Sequence, residues 1–306
     1  MVGSSLVQIS FGKVTIKDLR WETPSGHMLS ALLLVPDGAT EENPAPAIIT
    51  SHGWYNNREM QDLNYVEYAR RGYVVMSIDM YGHGNSDIVQ TTEWPKRGTG
   101  MYDAVELVAA LPYVDSSRIG VTGHSNGARA ANWSVLEDDR NDEQLISAVL
   151  LVANDAMYSS DENEPIYWKM RTGEEEYTNR YGNRDVGIIA AQYDEFFFRS
   201  NLPDGSHTVP RDYITTEYAQ SFLNFGIDPK DGGETRTGNT IYKQEINGKT
   251  VSRVIYTPNQ IHPWNHFSKV CVEQGVEFFE NALGTPNPIA PSKKYGNLKP
   301  SLTSLV

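Results

Sequence analysis

A serine held between two glycines can do acyl chemistry if the chain bends sharply enough to present its hydroxyl. Gly123-His124-Ser125-Asn126-Gly127 has that form. The preceding Ile119-Gly120-Val121-Thr122 is short and apolar, which predicts a buried strand, and Ala128-Arg129-Ala130-Ala131 begins a run of small helix formers. A strand-to-helix turn of this kind strains the serine backbone and lifts the hydroxyl at the sheet edge. The flanking glycines are required because side chains there would strike the neighbouring strand and helix. Ser125 is therefore the candidate nucleophile, weighed against a passive role as a helix cap in a packing turn.

Such a turn needs a sheet behind it. Residues 14–22 and 28–35 are β-prone and separated by Thr23-Pro24-Ser25-Gly26, which predicts an antiparallel hairpin. A polar linker, 37–46, follows. Further apolar strands are expected at 47–50, 73–78, 119–122, 148–152, 186–191 and 252–256, with helices at about 62–71, 101–111 and within 215–225. Strands alternating with helices imply a mostly parallel sheet covered on both faces, with ligands at the carboxyl ends of the strands. Two stretches break the rhythm, at about 158–185 and 195–250, and read as lid-like insertions in a single domain spanning 1–306. From about 284 to 306 the sequence reads as an extended tail.

With its surroundings, the chain resembles the α/β-hydrolase superfamily. Ser51-His52-Gly53-Trp54 looks like the family's oxyanion loop, Asp79-Met80-Tyr81-Gly82-His83-Gly84-Asn85-Ser86 like its D-x-x-G-x-G-x-S turn, and residues 123–127 like its nucleophile elbow. The run Asp115-Ser116-Ser117-Arg118-Ile119-Gly120-Val121 is most similar to the dienelactone hydrolase and acetyl esterase branch. The resemblance runs from the first hairpin to about Leu283 and implies an α/β-hydrolase fold.

It also implies the partners that a serine needs. A serine hydroxyl is a poor nucleophile near neutrality, so an imidazole must take its proton and a carboxylate must fix that imidazole. The expected chain order is serine, acid, histidine. Downstream of Ser125 stand His207, His262 and His266. His207 sits in a polar loop. His262 falls just past the apparent last strand, 251–258, and six residues before Ser268, the expected N-cap of a final helix. His262 is the leading base, with His266 the runner-up on the same loop. Asp194 closes the apolar run 186–191 and leads as the acid, and Glu195 beside it should point elsewhere if the backbone stays extended. Asp155 is the runner-up, because some members of the superfamily carry the acid after the preceding strand. The backbone N–H groups of Trp54 and Asn126 are the candidate oxyanion donors.

The expected function is cleavage of carboxylic esters through an acyl-enzyme. The alternatives are a peptidase or amidase of the same fold, or a hydrolase-like binding protein. His52, His83 and His124 lack metal-ligand spacing and read as turn residues with hydrogen-bond roles, so neither metal nor cofactor is called for. Phe196-Phe197-Phe198 and the tyrosines between 158 and 181 either line a pocket or pack a core. The acidic runs Asp161-Glu162-Asn163-Glu164 and Glu174-Glu175-Glu176 lack the spacing of a calcium loop and read as solvated faces.

Composition sets the outer limits. With 306 residues, 39% hydrophobic and 21% charged, the chain can bury a sizeable core. A formal charge of −13 argues against nucleic acid or an anionic membrane surface as a partner, which leaves small ester or acyl substrates and a homo-oligomer open. The lone cysteine, Cys271, permits no internal disulfide and no thiolate metal site, and suits a cytoplasmic, reducing compartment. No run of about 18 apolar residues is present.

Overall fold

The computed structural model describes residues 2–160, 176–202 and 204–295. Nine strands among them form one sheet. In chain order these are β1 (Val14–Glu22), β2 (Met28–Pro36), β3 (Ala45–Ser51), β4 (Val74–Asp79), β5 (Val114–His124), β6 (Ile146–Val152), β7 (Asp185–Ile189), β8 (Tyr242–Ile246) and β9 (Lys249–Tyr256). Their spatial order is β1-β2-β4-β3-β5-β6-β7-β9-β8. The six inner strands from β4 to β9 run parallel. The hairpin partners β1 and β2 are antiparallel at one edge, and β8 is antiparallel to β9 at the other. This is the α/β-hydrolase architecture that the sequence predicts.

The inner strands are buried on both faces, which is why they read as continuous apolar runs and not as alternations. Helices cover each face. On one side α2 (Asp62–Ala69) and α6 (Lys269–Leu283) bring Tyr65, Tyr68, Phe278 and Phe279 onto Ile48, Val75 and Leu150. Val272, Val276, Phe279 and Leu283 recur along α6 at helical spacing, and burying each is worth roughly 1.5–3 kcal/mol. On the other side α3 (Met101–Ala109), α4 (Asn126–Asp138) and α5 (Glu217–Leu223) pack Val105, Ala128, Ala131 and Leu223 against Ile49, Met76 and Val121.

The chain leaves β3 for β4 on one side and returns to β5 on the other. The sheet's switch point, where α/β folds form a crevice, thus lies between β3 and β5.

Several elements differ from the sequence reading. A short helix, α1 (Val2–Gln8), precedes the hairpin and places Val7 in the core. Strand β8 lies inside the stretch expected as a lid-like insertion. Its Tyr-Lys-Gln-Glu-Ile sequence is exposed at the sheet edge and so carries no apolar signal. Strand β5 starts five residues before the expected strand, because Val114 pairs with Ala45 ahead of a register shift. Ser268 occupies the N-cap of α6, although its hydroxyl makes no capping bond.

Residues 284–295 lie across α2. The buried Arg71 guanidinium donates to the carbonyls of Ile289, Ala290 and Lys293, and the N–H of Tyr295 donates to Glu67 at 2.8 Å. The acidic runs at 161–164 and 174–176 lie outside the described residues except for Glu176. No helix among the described residues is long and apolar enough to cross a membrane.

Candidate active site

Ser125 sits at the junction of β5 and α4 with φ 57° and ψ −112°, a conformation that L-residues rarely adopt. The elbow is forced by its neighbours. A Cβ on Gly123 would fall 2.5 Å from the Gly127 carbonyl carbon, and one on Gly127 would fall 2.6 Å from the Ser51 oxygen. The strained peptide is tied from both ends. The Ser125 N–H donates to Val152 at 2.8 Å, and the Asn154 side chain donates to the Ser125 carbonyl at 2.9 Å.

Asp194 follows β7 and is fully buried. Its Oδ2 lies 2.8 Å from Nδ1 of His262, while its Oδ1 accepts the N–H groups of Phe196 and Phe197 at 2.9 and 2.8 Å. The carboxylate accepts three bonds from donors held in place, which offsets its removal from water. With Nδ1 engaged, Nε2 is the imidazole atom left for a serine proton.

The backbone of His262 is clamped as well. Its N–H donates to Glu195 at 2.8 Å, and its carbonyl accepts Nε2–H of His124 at 2.8 Å. The expectation that Glu195 points elsewhere fails because the chain turns after Asp194 and does not stay extended. Both adjacent carboxylates thereby grip one histidine.

The runner-up residues are placed differently. His266 lines the same cavity, but its ring packs edge-on against His124 at 5.0 Å and Phe267 at 4.6 Å, and no carboxylate bonds it among the described residues. Burial lowers its pKa to about 4. Asp155 is engaged by the hydroxyls of Tyr158 and Tyr213. His207 pairs with Asn201 in an isolated bridge.

Ser125, His262 and His124 open onto a cavity of about 630 Å³ at the switch point. Trp54, Met60, Trp94, Phe196 and Pro263 give it apolar walls, and Arg129 adds a guanidinium whose pKa burial lowers to about 10. Phe197 and Phe198 instead join the core, as do Tyr158 and Tyr181. Trp54 and Asn126 both border the cavity, and no hydrogen bond engages either backbone N–H among the described residues. The Trp54 ring meets Trp94 and His83 edge-on at 4.6 and 5.1 Å.

The D-x-x-G-x-G-x-S turn acts on the same loop from below. Asp79 accepts the N–H groups of Arg58 at 2.9 Å and Asn85 at 3.2 Å, and the Ser86 hydroxyl donates to the Asp79 carbonyl at 2.7 Å. The turn after β4 and the Trp54-bearing loop after β3 are thereby joined. The contacts of Glu195 and Asn154 have no sequence signal beyond proximity to the motifs, because each acts on a partner brought near only by the fold, whereas Asp79 stands in the D-x-x-G-x-G-x-S motif itself.

Comparison with known proteins places the chain among relatives. Residues 25–179 match the family model described as X-Pro dipeptidyl-peptidase (S15 family). A Bacillus subtilis (strain 168) protein named as the uncharacterized peptidase YuxL is 28% identical over 134 residues, 40% of this chain and 20% of that protein. The match thus spans about a fifth of that relative's length. The Pyrococcus furiosus esterase Pf2001 is similar in structure at 15% identity, with a TM-score of 0.55, over 90% of this chain and 96% of its own. A bacterial heroin esterase is similar at 16% identity, TM-score 0.56, over 92% and 87% of the two chains. Est1E of Butyrivibrio proteoclasticus, solved with ferulic acid, is similar at 17% identity, TM-score 0.52, over 86% and 98%.

Proposed function

The chain belongs to the X-Pro dipeptidyl-peptidase (S15) family and is a serine hydrolase of the α/β-hydrolase fold, and we propose that it cleaves carboxylic esters with Ser125, His262 and Asp194 as catalytic residues. The observation that carries this reading is the 2.8 Å contact between His262 Nδ1 and buried Asp194, on a loop that borders the same cavity as the strained Ser125. In the proposed reaction, Ser125 Oγ attacks the ester carbonyl as His262 Nε2 takes its proton. His262 then returns that proton to the departing alcohol, leaving an acyl-enzyme. Water, deprotonated by the same imidazole, releases the acid and restores the serine. Asp194 holds the tautomer throughout. The backbone N–H groups of Trp54 and Asn126 stabilise the oxyanion at each addition step.

The apolar cavity walls suit a hydrophobic acyl or alcohol group, and structural neighbours named as esterases share the fold over most of both chains. The family description favours a second reading, cleavage of X-Pro peptides. Turnover of p-nitrophenyl acyl esters and of Xaa-Pro p-nitroanilides separates the two. Ester turnover well above anilide turnover is expected, and the reverse ranking would replace ester cleavage by the peptidase reading. In either assay Ser125→Ala is expected to cut kcat by about 10³-fold or more.

A further inference from the structure

We infer that His52 is a positioning residue that fixes the plane of the Gly53–Trp54 peptide and so aims the Trp54 N–H at the reacting oxygen, an inference that rests on the oxyanion role proposed for Trp54.

His52 ends the buried β3–loop junction and is itself fully buried. Its two ring nitrogens face two different backbone groups. The N–H of Met80 points at Nε2 from 3.1 Å, and the carbonyl oxygen of Gly53 lies 2.7 Å from Nδ1. The first contact settles the tautomer. A backbone N–H can only donate, so Nε2 must carry the lone pair and Nδ1 the proton. Nδ1–H therefore donates to the Gly53 oxygen. Burial lowers the His52 pKa to about 4, so the ring keeps this neutral form through the neutral range.

The Gly53 oxygen and the Trp54 N–H belong to one peptide unit. The unit is planar and trans, so the two groups point in opposite directions and turn together. Glycine at position 53 leaves that plane free to rotate, and a bond to its oxygen removes the freedom. The contact is also braced. The His83 ring meets His52 edge-on at 5.0 Å, and the N–H of Gly53 donates to the sulfur of Met60 at 3.2 Å. Met80 is the second residue of the D-x-x-G-x-G-x-S turn, directly after Asp79, so His52 spans from that turn to the oxyanion peptide. Preorganised donors stabilise developing charge only when they are already aimed, which gives this bond its leverage on kcat.

Two isosteric substitutions separate aiming from mere packing. In His52→Asn the side-chain amide nitrogen overlays Nδ1 and keeps a donor for Gly53, while Met80 loses its acceptor. In His52→Gln the amide oxygen overlays Nε2 and keeps the acceptor for Met80, while Gly53 loses its donor. The expected result is a crossed pattern. His52→Gln keeps a Tm near wild type but loses about 10- to 100-fold in kcat with little change in KM, and it binds a trifluoromethyl ketone analogue more weakly by a similar factor. His52→Asn melts lower yet keeps kcat within about threefold. If kcat follows Tm across the two variants, or both variants turn over alike, His52 only packs and the inference is overturned. Wild-type protein that takes no fluorophosphonate at Ser125 and hydrolyses no ester would instead overturn the catalytic reading, and the inference would fall with it.

Discussion

Asp194 accepts three hydrogen bonds and is fully buried, so its charge has no solvent to fall back on. Asp194→Asn should keep the fold near wild type but offer the wrong group to His262 Nδ1, with a loss of about 10³–10⁴-fold in kcat by analogy with other serine triads. Asp155→Asn should leave kcat close to wild type, since Asp155 is occupied by two tyrosine hydroxyls. Steady-state kinetics on one ester would rank the two carboxylates, and an equal loss in both would remove Asp194 from its proposed role. The same assay separates the histidines. His262→Gln should abolish turnover and His266→Gln should spare it, because of these two only His262 is bonded to a carboxylate among the described residues. At this scale strand-end and loop positions already ranked Asp194 ahead of Asp155 and His262 ahead of His266 in the sequence. The turn after Asp194, which carries Glu195 to the His262 N–H, is invisible to an argument based on strand alternation.

At the level of elements, the elbow depends on how closely α4 approaches β3. Gly127→Ala would drive a Cβ to 2.6 Å from Ser51 and force the helix off the sheet. Such overpacking against backbone should cost about 3 kcal/mol or more, with a lowered Tm, and any folded fraction should have lost its ester turnover. An alanine variant as stable and as active as wild type would mean that the elbow has more room than its geometry allows. The elements around it were legible because burial on both faces left an apolar run for each inner strand, as in Ala45–Ser51 and Ile146–Val152. Strand β8 was not legible, because an edge strand that faces solvent has no apolar period to read. Helix α1 was missed for a related reason. It is a single short segment whose one hydrophobic side chain in the core, among those described, is Val7.

Across the whole molecule, buried imidazoles make stability depend on acidity. His52 and His266 each hold a pKa of about 4, against an ordinary value of 6.5 in the unfolded chain. Between those values the unfolded state binds more protons than the folded one, so stability falls as pH falls, by up to about 3 kcal/mol for each histidine. Tm should therefore drop from pH 6.5 to pH 4, and His266→Asn should make that slope shallower. Identical slopes in the two proteins would contradict the burial assigned to His266. Residues 284–295 add a tie of another kind, completing the hydrogen bonds of Arg71 with carbonyls 218 to 222 residues further on. That tie has a consequence for the order of synthesis. On a ribosome adding about 5–20 residues per second, α2 would wait roughly ten to forty seconds for its last partners to emerge. A nascent chain arrested before Ile289 would thus hold its guanidinium in a half-built socket, open to chaperones and proteases until residues 289–293 arrive.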